Sequence, residues 1–183
     1  MLSVSRVTLS GVEGERVVKV ESSRESVTIS TFGLCKKSGS FSDPLLRLLA
    51  DSGGCLEPGK VWWIALQDDH LWASFGVMGG FMQPQGHFQV ISAMVDDDLN
   101  PQEALDRPRF CLLGGEATSV LGLEDGIPAK TMARLAELGH TIRPIAGAGR
   151  TCFGSGQIIR RDPETGVLYG GSDPRKDGLV AAF

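Results

Sequence analysis

The sequence predicts a layered α/β (α+β) fold with an antiparallel-rich sheet. Three observations carry this expectation. Short runs of alternating polar and apolar residues recur towards both ends of the chain. Amphipathic helical stretches lie between them. No strict strand–helix–strand rhythm links the two, so the pattern does not demand a parallel sheet. The 183 residues suffice for one domain with a substantial core, and no repeat or low-complexity linker divides 1–183.

The elements follow in chain order. Within residues 1–33, Arg16 to Glu21 and Ser26 to Phe32 read as short strands. Residues 35–60 are rich in Ser, Gly and Pro. There, Asp43-Pro44 followed by Leu45, Leu46, Leu48 and Leu49 predicts a short helix. Glu57-Pro58-Gly59-Lys60 reads as a turn. Val61 to Leu66 and Leu71 to Val77 form a predicted β-hairpin about Gln67-Asp68-Asp69-His70. A helix is predicted from about Gln85 to Val95, with Phe88, Ile91 and Val95 as its apolar stripe. It should stop before Asp96-Asp97-Asp98, whose charges oppose the helix dipole. No Gly-spaced cation loop surrounds these aspartates, so they read as a solvated loop. Asn100-Pro101-Gln102-Glu103 opens the next helix with a cap, a first-turn Pro and a capping-box Glu, and Arg107-Pro108-Arg109 ends it. Pro128 to Leu138 is a third helix, with Met132, Leu135 and Leu138 on one face and Gly139 as its stop. Thr141 to Ile145, Thr151 to Arg161 and Val167 to Gly171 read as strands.

Composition excludes several classes. The chain is 42% hydrophobic and 22% charged, which is ordinary for a globular protein. Net charge is −4, and the pairs Lys36-Lys37 and Arg160-Arg161 stand alone, so no nucleic-acid footprint is expected. No apolar stretch approaches the roughly 20 residues of a membrane span. The start, MLSVSRVTLSGVEGE, lacks the apolar core of a signal peptide, so a cytoplasmic location is expected. Cys35, Cys55, Cys111 and Cys152 are too far apart for a metal knuckle and read as free structural thiols. His70, His87 and His140 form no paired motif, so no metal site is expected.

The chemistry-bearing feature is Gly79-Gly80, where the run Leu71 to Val77 meets a helix-like segment. Glycines at such a junction let backbone N–H groups face a ligand with no side chain in the way. The helix N-terminus would add unsatisfied N–H groups and partial positive charge, which suits an anion or an oxyanion. On spacing alone a tight strand-to-helix turn is the better reading, because a lone glycine pair is a weak signal. Gln83 and Gln85 read as braces of this turn, and His87 as a histidine that supports the site from behind or lies on the surface, ahead of an acid or base role.

Four blocks extend the reading: FGVMGGFMQPQGH (75–87), NPQEALDRPRF (100–110), GVLYGGSDPRKDG (166–178) and the closing AAF. Their wording, order and spacing resemble the γ-glutamyltransferase family, also called γ-glutamyltranspeptidases or glutathione hydrolases. The resemblance covers roughly 71–183, with a weaker echo in Leu56 to Lys60. It assigns 56–183 to the C-terminal part of the family's small subunit and leaves 1–55 as a divergent segment. MGGFMQPQGH is closer to bacterial γ-glutamyltransferase-like amidohydrolases than to members reading SPGG. The resemblance implies part of an N-terminal-nucleophile hydrolase-like αββα sandwich. It also implies a threonine nucleophile whose own α-amino group is the base. The substrates implied are γ-glutamyl amides such as glutathione, or a related amide. The resemblance implies that Gly79 and Gly80 form the oxyanion hole and that Met78 contacts substrate. It implies no metal or organic cofactor, and a large-subunit half as partner.

The family's Thr-Thr-His-like start is not found. Thr8 and Thr28 read as strand residues, and Thr31 lacks a following Thr-His, so the nucleophile is not identifiable. The expectation is therefore an enzyme fragment inactive alone. The alternative is a truncated or degenerate, non-catalytic paralogue acting through subunit association, as a homo-oligomer through an open sheet edge. Asp173 and Arg175 read as a structural ion pair that fixes the C-terminal strand, and Arg107 and Arg109 as loop braces. Trp62, Trp63 and Trp72 read as one aromatic cluster.

Overall fold

The computed structural model describes residues 6–10, 15–21, 26–32, 63–67, 70–114 and 120–181. The expected helix at Asp43-Pro44, the Glu57–Lys60 turn, Trp62, Cys35 and Cys55 lie outside them.

Seven strands form one sheet in which every neighbouring pair is antiparallel. Its order is β1 (Arg6–Ser10), β2 (Glu15–Glu21), β3 (Ser26–Phe32), β4 (Trp63–Gln67), β5 (His70–Met78), β9 (Ser155–Arg161) and β10 (Leu168–Ser172). The β4–β5 hairpin stands where the two apolar runs predicted it, with a bulge at Ala65/Leu66. A second sheet has the order β6 (Phe110–Leu112), β7 (Leu121–Glu124), β8 (Ile142–Ile145). Its β7–β8 pair is parallel, and Pro144 is tolerated because β8 is an edge strand.

Helices α1 (Met82–Val95) and α2 (Pro101–Asp106) pack on β5, β9 and β10, while α3 (Ala129–Glu137) lies against β8. Strand alternation assigns the two faces of the large sheet. Phe75, Val77 and Ile158 face the helices and join Val90, Ile91, Met94, Ala104 and Leu105 in the main core. Met78, Ile159 and Leu168 lie on the opposite face, and each is about half exposed. Among the described residues the helices pack on one face of the large sheet, which is half of an αββα sandwich, as the partial fold expected.

Helix α2 has the cap read from its sequence. Asn100 Oδ1 accepts from the N–H groups of Gln102 and Glu103, and Glu103 returns a bond to the Asn100 N–H, each at 3.0 Å. Helix α1 starts earlier than expected, and its apolar stripe differs. Phe88 is 55% exposed, while Val90, Met94 and His87 are buried. The helix is covered from two directions, by β5 and by β6, so no single stripe describes it. Residues 151–153 are not strand. They close a 3-10 turn, Gly147–Phe153, that leads into β9.

Helix α1 meets the second sheet through glutamines. Gln89 accepts from the Phe110 N–H (2.9 Å) and donates to the Phe110 carbonyl (3.0 Å). Gln85 accepts from the Leu112 N–H at 2.8 Å. Four residues of helix rise about 6.0 Å and two residues of strand about 6.6 Å. Side-chain amides four apart on α1 therefore match backbone groups two apart on the edge of β6, and stand in for a missing strand.

Candidate functional site

Strand β5 ends at Met78, and the chain turns through Gly79 (φ +134°) and Gly80 (φ +58°) into α1. Both angles lie where residues with a Cβ are strained. A Cβ on Gly79 would sit 3.0 Å from Met82 Cβ and 3.1 Å from Gly154 Cα, whereas one on Gly80 would meet nothing within 4 Å. The turn is thus packed on its Gly79 side and open at Gly80. Met78 and Phe81, 50% and 73% exposed, flank it. The N–H groups of Met82 and Gln83 donate to the Gly79 and Gly80 carbonyls, each at 3.0 Å. Two helix N–H groups that the sequence offered to an anion are therefore occupied. The N–H groups of the glycines themselves remain the donors to consider.

The back of the turn rests on Gly154, at φ +72°, where a Cβ would lie 2.1 Å from the Met78 carbonyl oxygen. Two residues on, the Gly156 N–H donates to Asp173 Oδ2 at 2.8 Å. Asp173 belongs to a buried ionic network. Its Oδ1 pairs with Arg175 at 3.0 Å, and its Oδ2 with Arg109 at 2.8 Å. Arg175 also binds Glu124, with Nε on Oε1 at 2.8 Å and Nη2 on Oε2, and donates to the Leu105 and Arg107 carbonyls. Glu124 further accepts from the Arg109 N–H at 2.7 Å and from Arg150 at 2.6 Å.

Electrostatics in this network are strongly directional. Burial pushes the Glu124 carboxyl up, but hydrogen bonds from Arg175, Arg150 and the Arg109 N–H outweigh it and hold it below the usual range. Burial lowers Arg109, against the attraction of Asp173. Burial also lowers Arg175, yet Glu124 and Asp173 more than compensate and raise it. The Arg109, Asp173 and Arg175 side chains are at most 2% exposed, so this is scaffold without access to a ligand. The Asp173–Arg175 pair read from the sequence is present. Arg109 braces as expected, while Arg107 is exposed and pairs with Asp97. Glu124 and Arg150, which no sequence motif singled out, complete the set.

Gln85 braces the turn as read, donating to the Phe81 carbonyl at 3.0 Å. His87 is not on the surface: it is 4% exposed, between Trp63 and Phe75. Its Nε2 accepts from the Val77 N–H at 3.1 Å, and its Nδ1 lies 2.5 Å from the Gln83 carbonyl.

The backbone register places the three candidate threonines of the described strands away from the turn. Thr8 and Thr28 are mid-strand, as read. Thr31 pairs with Trp63, which pairs with Phe75. It stands two strands across and four residues short of Gly79, roughly 16 Å away at ordinary strand spacings. Cys111 and Cys152 are free thiols, and burial pushes both up, which makes poor nucleophiles of them. Among the described residues no group of His, Cys, Asp and Glu could hold a metal ion, and no helix is long and apolar enough to cross a membrane.

The family described as Gamma-glutamyltranspeptidase matches residues 62–183. The chain belongs to this family. Within it, the oxamate amidohydrolase proenzyme of Klebsiella pneumoniae subsp. pneumoniae is 34% identical over 112 residues, 60% of this chain and 21% of that protein. The glutathione hydrolase-like YwrD proenzyme of Bacillus subtilis is 35% identical over 111 residues, with the same coverage of 60% and 21%. A cephalosporin acylase from Bacillus halodurans aligns at 44% identity with a TM-score of 0.61, covering 67% of this chain and 22% of that one. The Helicobacter pylori gamma-glutamyltranspeptidase, as its T380A mutant, aligns at 30% identity and a TM-score of 0.53, covering 62% and 59%. This γ-glutamyltranspeptidase-family chain thus has the N-terminal-nucleophile hydrolase fold over the matched part. It spans about a fifth of the length of the curated relatives it matches.

Proposed function

We propose that Gly79 and Gly80 supply the oxyanion hole of a γ-glutamyltransferase-type amide hydrolase or acyltransferase, and that this chain is the portion carrying it. The reading treats 56–183 as the family's small-subunit region and 1–55 as a divergent segment. A threonine hydroxyl, supplied outside the elements described here, attacks the amide carbonyl carbon and gives its proton to the threonine's own α-amino group. Negative charge grows on the carbonyl oxygen, where the two glycine N–H groups donate to it. The C–N bond then breaks, and the amine leaves with the proton. Water or an amine attacks the resulting ester and releases the acyl group. One oxyanion donor is worth roughly 2.7–4 kcal/mol of barrier.

The observation that carries the reading is the turn itself. Two glycines at positive φ stand at a strand-to-helix junction, backed closely by Gly154 and open at Gly80. Met78, half-exposed on the open sheet face beside them, fits a substrate contact. The acyl donor is a γ-glutamyl amide such as glutathione, or a related small amide. Relatives named for oxamate and cephalosporin keep the second class in view. The test is to combine the chain with a family large half and a Thr-starting segment, and to follow release from a γ-glutamyl anilide. Release supports the reading. A folded complex that releases nothing refutes it.

A specific observation favours association without catalysis as the second reading. The edge strand β10 presents Leu168 and Tyr169, 51% and 48% exposed, beside Val167 at 51%. On that reading the chain self-associates through β10. Sedimentation showing a monomer at all concentrations would exclude it.

A further inference from the structure

We propose that His87 is a positioning residue that clamps the Gly79–Gly80 turn through both ring nitrogens. The inference rests on reading that turn as the oxyanion hole. Val77 stands two residues before Gly79, and Gln83 three after Gly80. One imidazole holds both: Nε2 accepts the Val77 N–H at 3.1 Å, and Nδ1 meets the Gln83 carbonyl at 2.5 Å. A carbonyl only accepts and an N–H only donates, so the two partners define the ring. It is neutral, with its proton on Nδ1 donating to Gln83, and with the Nε2 lone pair facing Val77.

The placement explains why the residue is a histidine. Val77 lies past the Trp63–Phe75 pair at the end of the described β4–β5 ladder. Its amide takes a ring nitrogen as acceptor at that point. A Phe or Leu would fill the same space between Trp63 and Phe75, whose ring centres lie 5.2 and 6.0 Å away. Neither could satisfy a buried N–H, whose loss of a partner is costly. The bridge closes a short segment containing two glycines, the residues with most backbone freedom to lose. Gly86, one residue before the clamp, lets α1 approach β5 closely, since a Cβ there would lie 2.5 Å from Val77 Cγ1. An oxyanion hole works only if its donors are fixed before charge develops. A buried two-ended brace across the turn supplies that fixation.

The test compares the full chain with His87→Phe and His87→Gln by ¹⁵N NMR and amide exchange. A Gln amide both accepts and donates, so it can replace both bonds. In the wild type, the ring should show a pyridine-like ¹⁵N shift at Nε2 and a pyrrole-like one at Nδ1. His87→Phe should speed exchange of the Val77, Gly79 and Gly80 amides about tenfold or more, and His87→Gln should stay within about threefold of wild type. Amides of Met94 and Leu105 serve as core controls and should hold in both variants. A proton on Nε2, unchanged exchange in His87→Phe, or a His87→Gln as fast as His87→Phe would overturn the proposal. Titration with acetate separates the two readings. If acetate leaves the wild-type Gly79 and Gly80 amides unshifted while the exchange pattern is as expected, the oxyanion reading falls and the clamp stands.

Discussion

Replacing Glu124 by leucine is the sharpest test of the scaffold behind the turn. The side chain is fully buried and accepts from Arg175, Arg150 and the Arg109 N–H. Leucine keeps much of the volume and removes every acceptor. Arg175 would then be left with Asp173 and carbonyls only, in a site without water access. Removing one partner of a buried ion pair costs about 3–5 kcal/mol. Total stability for a domain is about 5–15 kcal/mol, so a large share is at stake. At about 2–4 °C per kcal/mol for this size, Tm should fall by roughly 6–20 °C. Glu124→Gln keeps the shape and one acceptor and should fall between wild type and Glu124→Leu. Near-UV circular dichroism during heating reads both.

The same residue makes a pH prediction with a definite sign. The folded Glu124 titrates below its ordinary value. The unfolded chain therefore binds this proton first as pH falls. The stabilisation from Glu124 is complete above the ordinary carboxylate range and is lost as pH drops through it towards the folded value. Wild type should lose Tm across that window, and Glu124→Gln should lose less over the same interval. A Glu124→Leu protein melting within about 2 °C of wild type at neutral pH, or equal acid slopes for wild type and Glu124→Gln, would refute the argument.

Gly154→Ala should destabilise far more than Gly80→Ala. The first places a methyl 2.1 Å from a backbone oxygen, while the second meets open space and bears only the left-handed penalty of about 1–2 kcal/mol; urea midpoints compare them. Asn100→Ala removes both side-chain acceptor bonds at the α2 cap and should cost about 1 kcal/mol, or roughly 2–4 °C in Tm. Gln89→Leu strips the Phe110 N–H and carbonyl of their partners. Exchange of the Phe110 amide should quicken at least tenfold, ahead of global unfolding.

What was legible in the sequence follows how local the determinants are. Helix α2 could be read residue by residue because Asn100, Pro101 and Glu103 act within one turn. The β4–β5 hairpin was legible for the same reason. Strands β6 and β7 were not, at three and four residues, too short for a period of two to register. The β7–β8 pairing is parallel and joins segments separated by α3, which local pattern does not encode. Thr151 and Phe153 have strand-like side chains, yet their backbone closes a 3-10 turn between Gly147 and Gly154. For His87 the sequence leaves a supporting and a surface position both open, because a one-faced reading of α1 does not show that β5 covers it. Gln89 was overlooked because its value lies in matching a strand edge 21 residues away.

The charged motifs illustrate why a resemblance needs geometry before roles are given out. Arg109 and Arg175, in two of the four recognised blocks, could be taken from the sequence alone as substrate-binding cations. Their partners exclude that role. Each is closed off by Asp173, and Arg175 by Glu124 as well. What they hold is backbone. Asp173 fixes the Gly156 N–H, Gly156 follows Gly154, and Gly154 abuts the Met78 carbonyl. That chain ends at Met78, the residue that leads into the proposed oxyanion turn. On the other side, His87 and Gln85 hold the same turn from α1. Two glycines alone would sample many conformations, and a donor swinging by even an ångström would lose most of its value to a developing charge. On the proposed reading, blocks far apart in the chain converge on one short turn because backbone N–H groups can stabilise an oxyanion only when neighbouring structure, and not the turn itself, fixes where they point.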